Sequence, residues 1–379
     1  MMTYTRRQWL QFMMASPAWL GTAASSKAGA RVAIARCTSY ETDLAAVLAK
    51  MFDQLGGLDR LVRGRTATVK LNMTGSPALR LRGLPLGSTH YCHPRVVHAL
   101  VHLLGRAGAH RVRLVESAYG TAAPLEEYIL ESGWDLRALR NAAPRVEFEN
   151  TNARGSYRAY VRLRVPGQAW IFPAYDLNAA YEQTDVFISL AKLKQHATTG
   201  VTLSLKNCFG NLPASIYGDD AGEDEPNEQP TKGRVNVCHL GKRQPSRSAP
   251  GELDPRSSRD PGYRVPRITA EIVAARPIDL AIIDGIESMA GGEGPWIPNC
   301  RPVRPGLLIA GLNPVATDAV AVALMGFDPL ADRGSPPFRN CDNTLLLAQQ
   351  LGVGTADLNQ IEVIGGRIED LRFPFAEGS

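Results

Sequence analysis

Thr66-Ala67-Thr68-Val69-Lys70-Leu71 and Arg111-Val112-Arg113-Leu114-Val115-Glu116 bracket a helical pattern, and this strand–helix–strand unit decides the fold. Pro94 stands where a first helical turn accepts proline. Val96, Val97, Leu100, Val101, Leu103 and Leu104 then form an apolar face that ends near Gly105 and Gly108. Working outward, a strand over 31–36 and a helix over 43–55 precede the unit. After it come strands over 185–190, 278–284, 306–310 and 360–364 and helices over 314–325 and 343–351. Strands alternating with helices of this length predict an α/β fold with a mostly parallel open sheet flanked by helices. Residues 134–181 read as a small irregular or antiparallel insertion. Residues 212–266, rich in Pro, Gly and charge, read as a long polar loop.

The first thirty residues are set apart from the fold. Thr5-Arg6-Arg7-Gln8-Trp9-Leu10 is a twin-arginine pattern, followed by an apolar run over 12–22 and the small-residue site Ala28-Gly29-Ala30 after Lys27. This order predicts export by the twin-arginine translocase to the periplasm or beyond. Residues 31–379 then form a single α/β domain. Removing the signal takes three cations and no acid, so the formal charge falls from +5 to +2. That balance gives no reason to expect nucleic acid or an anionic membrane as partner, and no other apolar run approaches a bilayer span. Cys37, Cys92, Cys208, Cys238, Cys300 and Cys341 have no CxxC spacing, so no ferredoxin-type cluster is expected. In an oxidising compartment some of them could pair.

Predicted strands end in polar residues, and ligands of open α/β sheets bind beyond the carboxyl ends of strands. Lys70 and Asn72 follow one strand, Glu116 ends another and Asp284 ends a third. The densest segment is Ala191-Lys192-Leu193-Lys194-Gln195-His196, continued by Ser204-Leu205-Lys206-Asn207-Cys208-Phe209-Gly210. Lysines beside a backbone turn suit phosphate or carboxylate, and neighbouring cations lower a lysine pKa toward that of a base. The bland alternative is a solvated basic loop. Asp318, in the first turn after Pro314, is either a ligand or a complement to the helix dipole. Gly291-Gly292-Glu293-Gly294-Pro295-Trp296 lacks the order of a nucleotide-binding loop. Cys92-His93 and Cys238-His239 could share a soft metal, but spacing does not bring them together.

Lys70-Leu71-Asn72, His93-Pro94, Lys192-Leu193-Lys194-Gln195-His196, Leu205-Lys206-Asn207-Cys208-Phe209-Gly210, Ile283-Asp284-Gly285, Gly294-Pro295 and Asn313-Pro314-Val315-Ala316-Thr317-Asp318 occur in an order that resembles the bacterial and archaeal domain-of-unknown-function family numbered 362. The resemblance runs over about 31–366. It implies that Lys192, Lys194, His196, Lys206, Asn207, Asp284 and Asp318 belong to the family's polar pattern. Many relatives look like iron–sulfur proteins with an added ferredoxin-like domain; no such module follows Asp318 here. Gln195 stands where relatives often carry Thr.

These readings converge on an exported protein acting on a small anionic molecule. Lys70, Asn72, Lys192, Lys206 and Asn207 would bind it, and His196, Lys194 and Asp284 would do the chemistry. Asp284, Asp318 and Glu116 would hold a divalent Mg, Ca or Mn ion for hydrolysis or transfer. A redox or metallocofactor-handling role and a non-catalytic binding module are the readings from other classes.

Overall fold

The computed structural model describes residues 30–375; the twin-arginine stretch and its apolar run lie outside them. The strands are β1 Ala30–Arg36, β2 Thr66–Lys70, β3 Arg111–Glu116, β4 Val146–Asn150, β5 Val161–Arg164, β6 Ala174–Leu177, β7 Val186–Lys192, β8 Gln195–His196, β9 Gly200–Val201, β10 Leu280–Gly285, β11 Ser288–Ala290, β12 Arg301–Val303, β13 Leu307–Gly311 and β14 Ile361–Ile364. Eight of them form one sheet in the order β14-β1-β13-β10-β7-β2-β3-β4. Its pairings are parallel except at β13, which runs antiparallel to both β1 and β10. The α/β class and mostly parallel sheet expected from the sequence are present.

Strand periodicity sends alternate side chains to opposite faces. In β7, Phe187 and Ala191 join one core, with the helices Pro261–Ala275, Pro314–Leu324 and Thr344–Gln350. Val186, Ile188 and Leu190 join the other, with the helices Leu44–Gln54 and Pro94–Arg106. A strand buried on both faces reads as a continuous apolar run, which is how β7 reads. The helix at Pro94 starts as its sequence indicates: the His93 imidazole accepts from the Arg95 amide at 3.2 Å. Among the described residues, no helix is long and apolar enough to cross a membrane.

Two boundaries differ from expectation. The irregular insertion placed at 134–181 is narrower, because β4 extends the main sheet in parallel with β3; the antiparallel piece is the β5–β6 pair. Its Glu147 and Glu149 break the apolar pattern because β4 is an edge strand. The long loop is ordered and shorter than 212–266, because Asp260 caps a helix that already begins at Pro261. Pro266, where the loop was expected to end, lies inside that helix. The six cysteines are buried and free.

Candidate functional site

The chain builds from β2 to β4 toward one edge of the sheet, then returns to place β7 on the other side of β2 and β10 beyond it. The order therefore reverses between β2 and β7, and the crevice beyond the carboxyl ends of two such strands is where an open sheet binds ligands. A cavity of about 220 Å³ lies there. Its wall includes Lys70 at the end of β2 and Asn72 just beyond it, Glu116 at the end of β3, and His196, Thr202, Lys206 and Asn207 from the segment after β7. The ordered long loop adds Arg234 and His239, and the glycine-rich loop adds Glu293 and Trp296.

Lys70 and Glu116 form an ion pair at 2.5 Å. The Glu116 carboxylate also accepts from the amides of Met73 and Ser117, each at 2.8 Å. Gly210 leaves room for this pair, since a Cβ there would lie 3.0 Å from the Lys70 Nζ. Asn207 bridges the two switch-point strands: its amide nitrogen donates to Ser189 Oγ at 3.0 Å and reaches the carbonyls of Lys70 and Leu190.

Lys206 differs from the other two lysines of the basic segment. Its ammonium sits 4.2 Å from the Phe209 ring centroid and, among the described residues, donates no hydrogen bond to protein. Burial, reinforced by Arg234 and Lys70 and opposed by Glu293, pushes its pKa down to about 8. Burial and then Lys206 hold His196 well below the usual imidazole range. The Thr198 amide donates to His196 Nδ1 at 3.1 Å, which assigns the neutral tautomer with hydrogen on Nε2. Glu293, 3.6 Å from that Nδ1, is the ionised partner. Against the cost of burial, hydrogen bonds from the Ala197 amide and the Trp296 indole hold its carboxyl below the usual carboxylate range. Burial also takes His239 down to about 4. With both imidazoles neutral, Lys70, Lys206 and Arg234 outnumber Glu116 and Glu293 by one charge.

Other expected site residues are elsewhere. Lys192 and Asp284 form a sealed pair at 2.9 Å, both fully buried. Asp284 also takes the Tyr40 hydroxyl at 3.0 Å and the His93 amide at 3.0 Å. Lys194 donates to the carbonyls of His90 and Glu293, and burial pushes its pKa down to about 7. It supports the glycine-rich loop from behind and does not line the cavity. Asp318 accepts from the Ser204 and Leu205 amides, each at 2.9 Å, and so starts the turn that carries Lys206; burial raises its pKa to about 7. The metal set expected from Asp284, Asp318 and Glu116 is therefore not assembled, because each carboxylate is already satisfied by separate lysine or amide donors. Among the described residues, no three His, Cys, Asp or Glu side chains form a metal-holding group. The soft site joining Cys92-His93 to Cys238-His239 is not formed either: His93 stacks on Tyr40 while His239 lines the cavity.

Sequence reasoning missed Arg234, Thr202 and the part played by Glu293. No local sequence pattern marks Thr202; in the structure it stands beside Leu203, a bulky residue at φ 45°. A left-handed residue of that kind costs about 1–3 kcal/mol and marks an over-determined, often functional turn.

The fold and crevice define a mixed α/β protein with a basic cavity at its switch point. The chain belongs to the family described as Domain of unknown function (DUF362), whose model matches residues 69–323. It is 26% identical over 303 residues to Thylakoid-associated protein sll1697 of Synechocystis sp., covering 79% of this chain and 75% of that protein. A crystal structure of a Thermotoga maritima protein matches at 15% identity and a TM-score of 0.36, over 73% of this chain and 56% of that one. At that level the structural likeness carries no argument.

Proposed function

We propose that this DUF362 protein binds a small anionic molecule in the switch-point cavity, with Lys206 as its charge anchor and His196 donating from Nε2. The observation that carries this is the Lys206 ammonium, which lines the cavity without a protein acceptor. A buried or half-buried ammonium without an acceptor is costly, and a carboxylate or phosphate oxygen supplies one. Where the bound molecule is also transformed, Lys206, poised near pH 8, is the group able to exchange a proton with it. Lys194 and Asp284 have no part in that chemistry.

Lys206→Met tests the reading. Carboxylates and phosphate should raise the melting temperature of the wild-type protein by linkage, and the substitution should abolish the rise. Equal stabilisation of both proteins would exclude the assignment. Export is part of the same proposal: Arg6-Arg7, the apolar run and the Ala28-Gly29-Ala30 site support periplasmic or extracellular delivery by the twin-arginine translocase. A reporter fused to residues 1–30 should be exported, and Arg6→Lys with Arg7→Lys should retain it in the cytoplasm.

A further inference from the structure

Three residues of the cavity wall bury a side-chain oxygen that has no hydrogen-bond partner among the described residues: Asn72 Oδ1, Thr202 Oγ and Asn207 Oδ1. Their residues are only 3%, 4% and 3% exposed. Buried polar atoms in folded proteins are almost always paired, and an unpaired one costs about 1–3 kcal/mol. Three in one cavity wall are therefore a feature of the site.

The Asn207 amide is oriented, which fixes what its oxygen wants. Asn207 gives its nitrogen to Ser189 Oγ and to two carbonyls, which only accept, so its oxygen cannot exchange places with the nitrogen. Asn72 gives its nitrogen to Thr74 Oγ at 3.3 Å, a hydroxyl that could serve either end of the amide, and in this placement its oxygen is the unpaired atom. Both remaining oxygens accept only. A bare carboxylate brings acceptors alone and would leave all three oxygens without a donor, and inorganic phosphate, with one or two P–OH donors at neutral pH, would leave at least one. A divalent cation would suit oxygen ligands, but the cavity already carries one surplus positive charge.

Resting on the anion reading above, we infer that the ligand is a polyhydroxylated monocarboxylate of sugar-acid type. Its carboxylate meets Lys206 and the Nε2–H of His196. Its hydroxyls donate to Asn72 and Asn207, and one exchanges a hydrogen bond with Thr202. One carboxylate matches the single surplus charge. The half-exposed rings of Tyr119 and Trp296 offer flat apolar surface to the ligand's C–H faces. The cavity of about 220 Å³ is several times the roughly 30 Å³ that one water occupies in the liquid.

Isothermal titration of the mature chain with D-gluconate, D-galactonate and D-mannonate, against hexanoate as the unhydroxylated acid of the same chain length and charge, tests this. At least one sugar acid should bind ten or more times as tightly as hexanoate, to an extent of about 1.4 kcal/mol per tenfold. Thr202→Val should weaken that sugar acid by about five- to tenfold, leave hexanoate unchanged and not lower the melting temperature of the free protein, because the hydroxyl it removes has no protein partner. Hexanoate binding as well as all three sugar acids would overturn the inference and leave the anion site standing. So would a Thr202→Val protein with unaltered sugar-acid affinity. Binding of no carboxylate at all would remove both.

Discussion

Lys70–Glu116 and Lys192–Asp284 are the same chemical pair at neighbouring strand ends, and they serve opposite purposes. The first lines the cavity, with side chains 2% and 5% exposed; the second is sealed at 0% and 0%. Their neighbours make the difference. Gly210 presents no side chain to Lys70, so space remains beside that pair. Tyr40, stacked on His93 at a centroid distance of 3.6 Å, closes over Lys192 and hydrogen-bonds Asp284. A lysine at a strand end thus becomes a wall of a site or a rivet of the core according to what covers it. The rivet joins the segment after β1, the start of the helix at Pro94, β7 and β10.

The sharpest way to break this comparison is Asp284→Ala. It leaves a fully buried ammonium, the Tyr40 hydroxyl and the His93 amide without their common acceptor, and breaking a sealed pair from one side costs about 3–5 kcal/mol. Urea denaturation should show that loss. A change below about 1 kcal/mol would mean that water reaches the pair and that the distinction fails. Glu116→Gln should cost less than half as much, because the amide still accepts from Met73 or Ser117 and Lys70 keeps the Leu71 carbonyl at 2.8 Å. Equal losses from the two substitutions would erase the contrast.

The sequence carries the strands and helices well because β7 and β10 are continuous apolar runs and the helices at Pro94 and Pro314 have apolar faces and clear starts. It also places Lys70, Asn72 and Glu116 at strand ends and His196, Lys206 and Asn207 in the segment that follows a strand, and the structure gathers all six around one cavity. It does not separate them from Lys192, Lys194 and Asp284, since all three lysines follow an apolar strand and differ only in what packs over them. Covering groups such as Tyr40 and Glu293 are distant in sequence, and no local pattern ties them to the lysines. Asp318 illustrates the other limit: read as an acid in the first turn after Pro314, it suggests a ligand or a dipole complement, whereas it stands past that turn and caps a different helix, Leu203–Asn207, across the fold. Arg234 lay in a stretch whose irregular composition gave no period to read, although its guanidinium is pinned to the Leu212 carbonyl and Asn152.

The gentlest probe of the comparison is pH. Lys206 titrates near 8 in the folded chain, against an ordinary value of 10.5. The unfolded chain therefore holds the proton across the interval from about 8 to 10.5 while the folded chain has released it. Stability contributed through Lys206 accordingly rises with pH over that interval, because the cost of burying the ammonium disappears. Anion affinity must move the other way, since the deprotonated amine no longer attracts the ligand: between pH 7 and pH 9 it should fall about tenfold. Glu293, Arg234 and Lys70 face the same ammonium, but the Glu293 carboxyl is held below the usual carboxylate range and Arg234 stays charged. His196 and His239 are already neutral at pH 7. Calorimetric titration of the bound acid at the two pH values, repeated with Lys206→Met and with Lys194→Met, separates the candidates. Lys194→Met should keep the pH dependence, because that ammonium points away from the cavity to two carbonyls. If the dependence vanished with Lys194 instead, the buried lysine behind the glycine-rich loop would be the one that senses the ligand, and the open and closed regions of the basic segment would have to exchange roles.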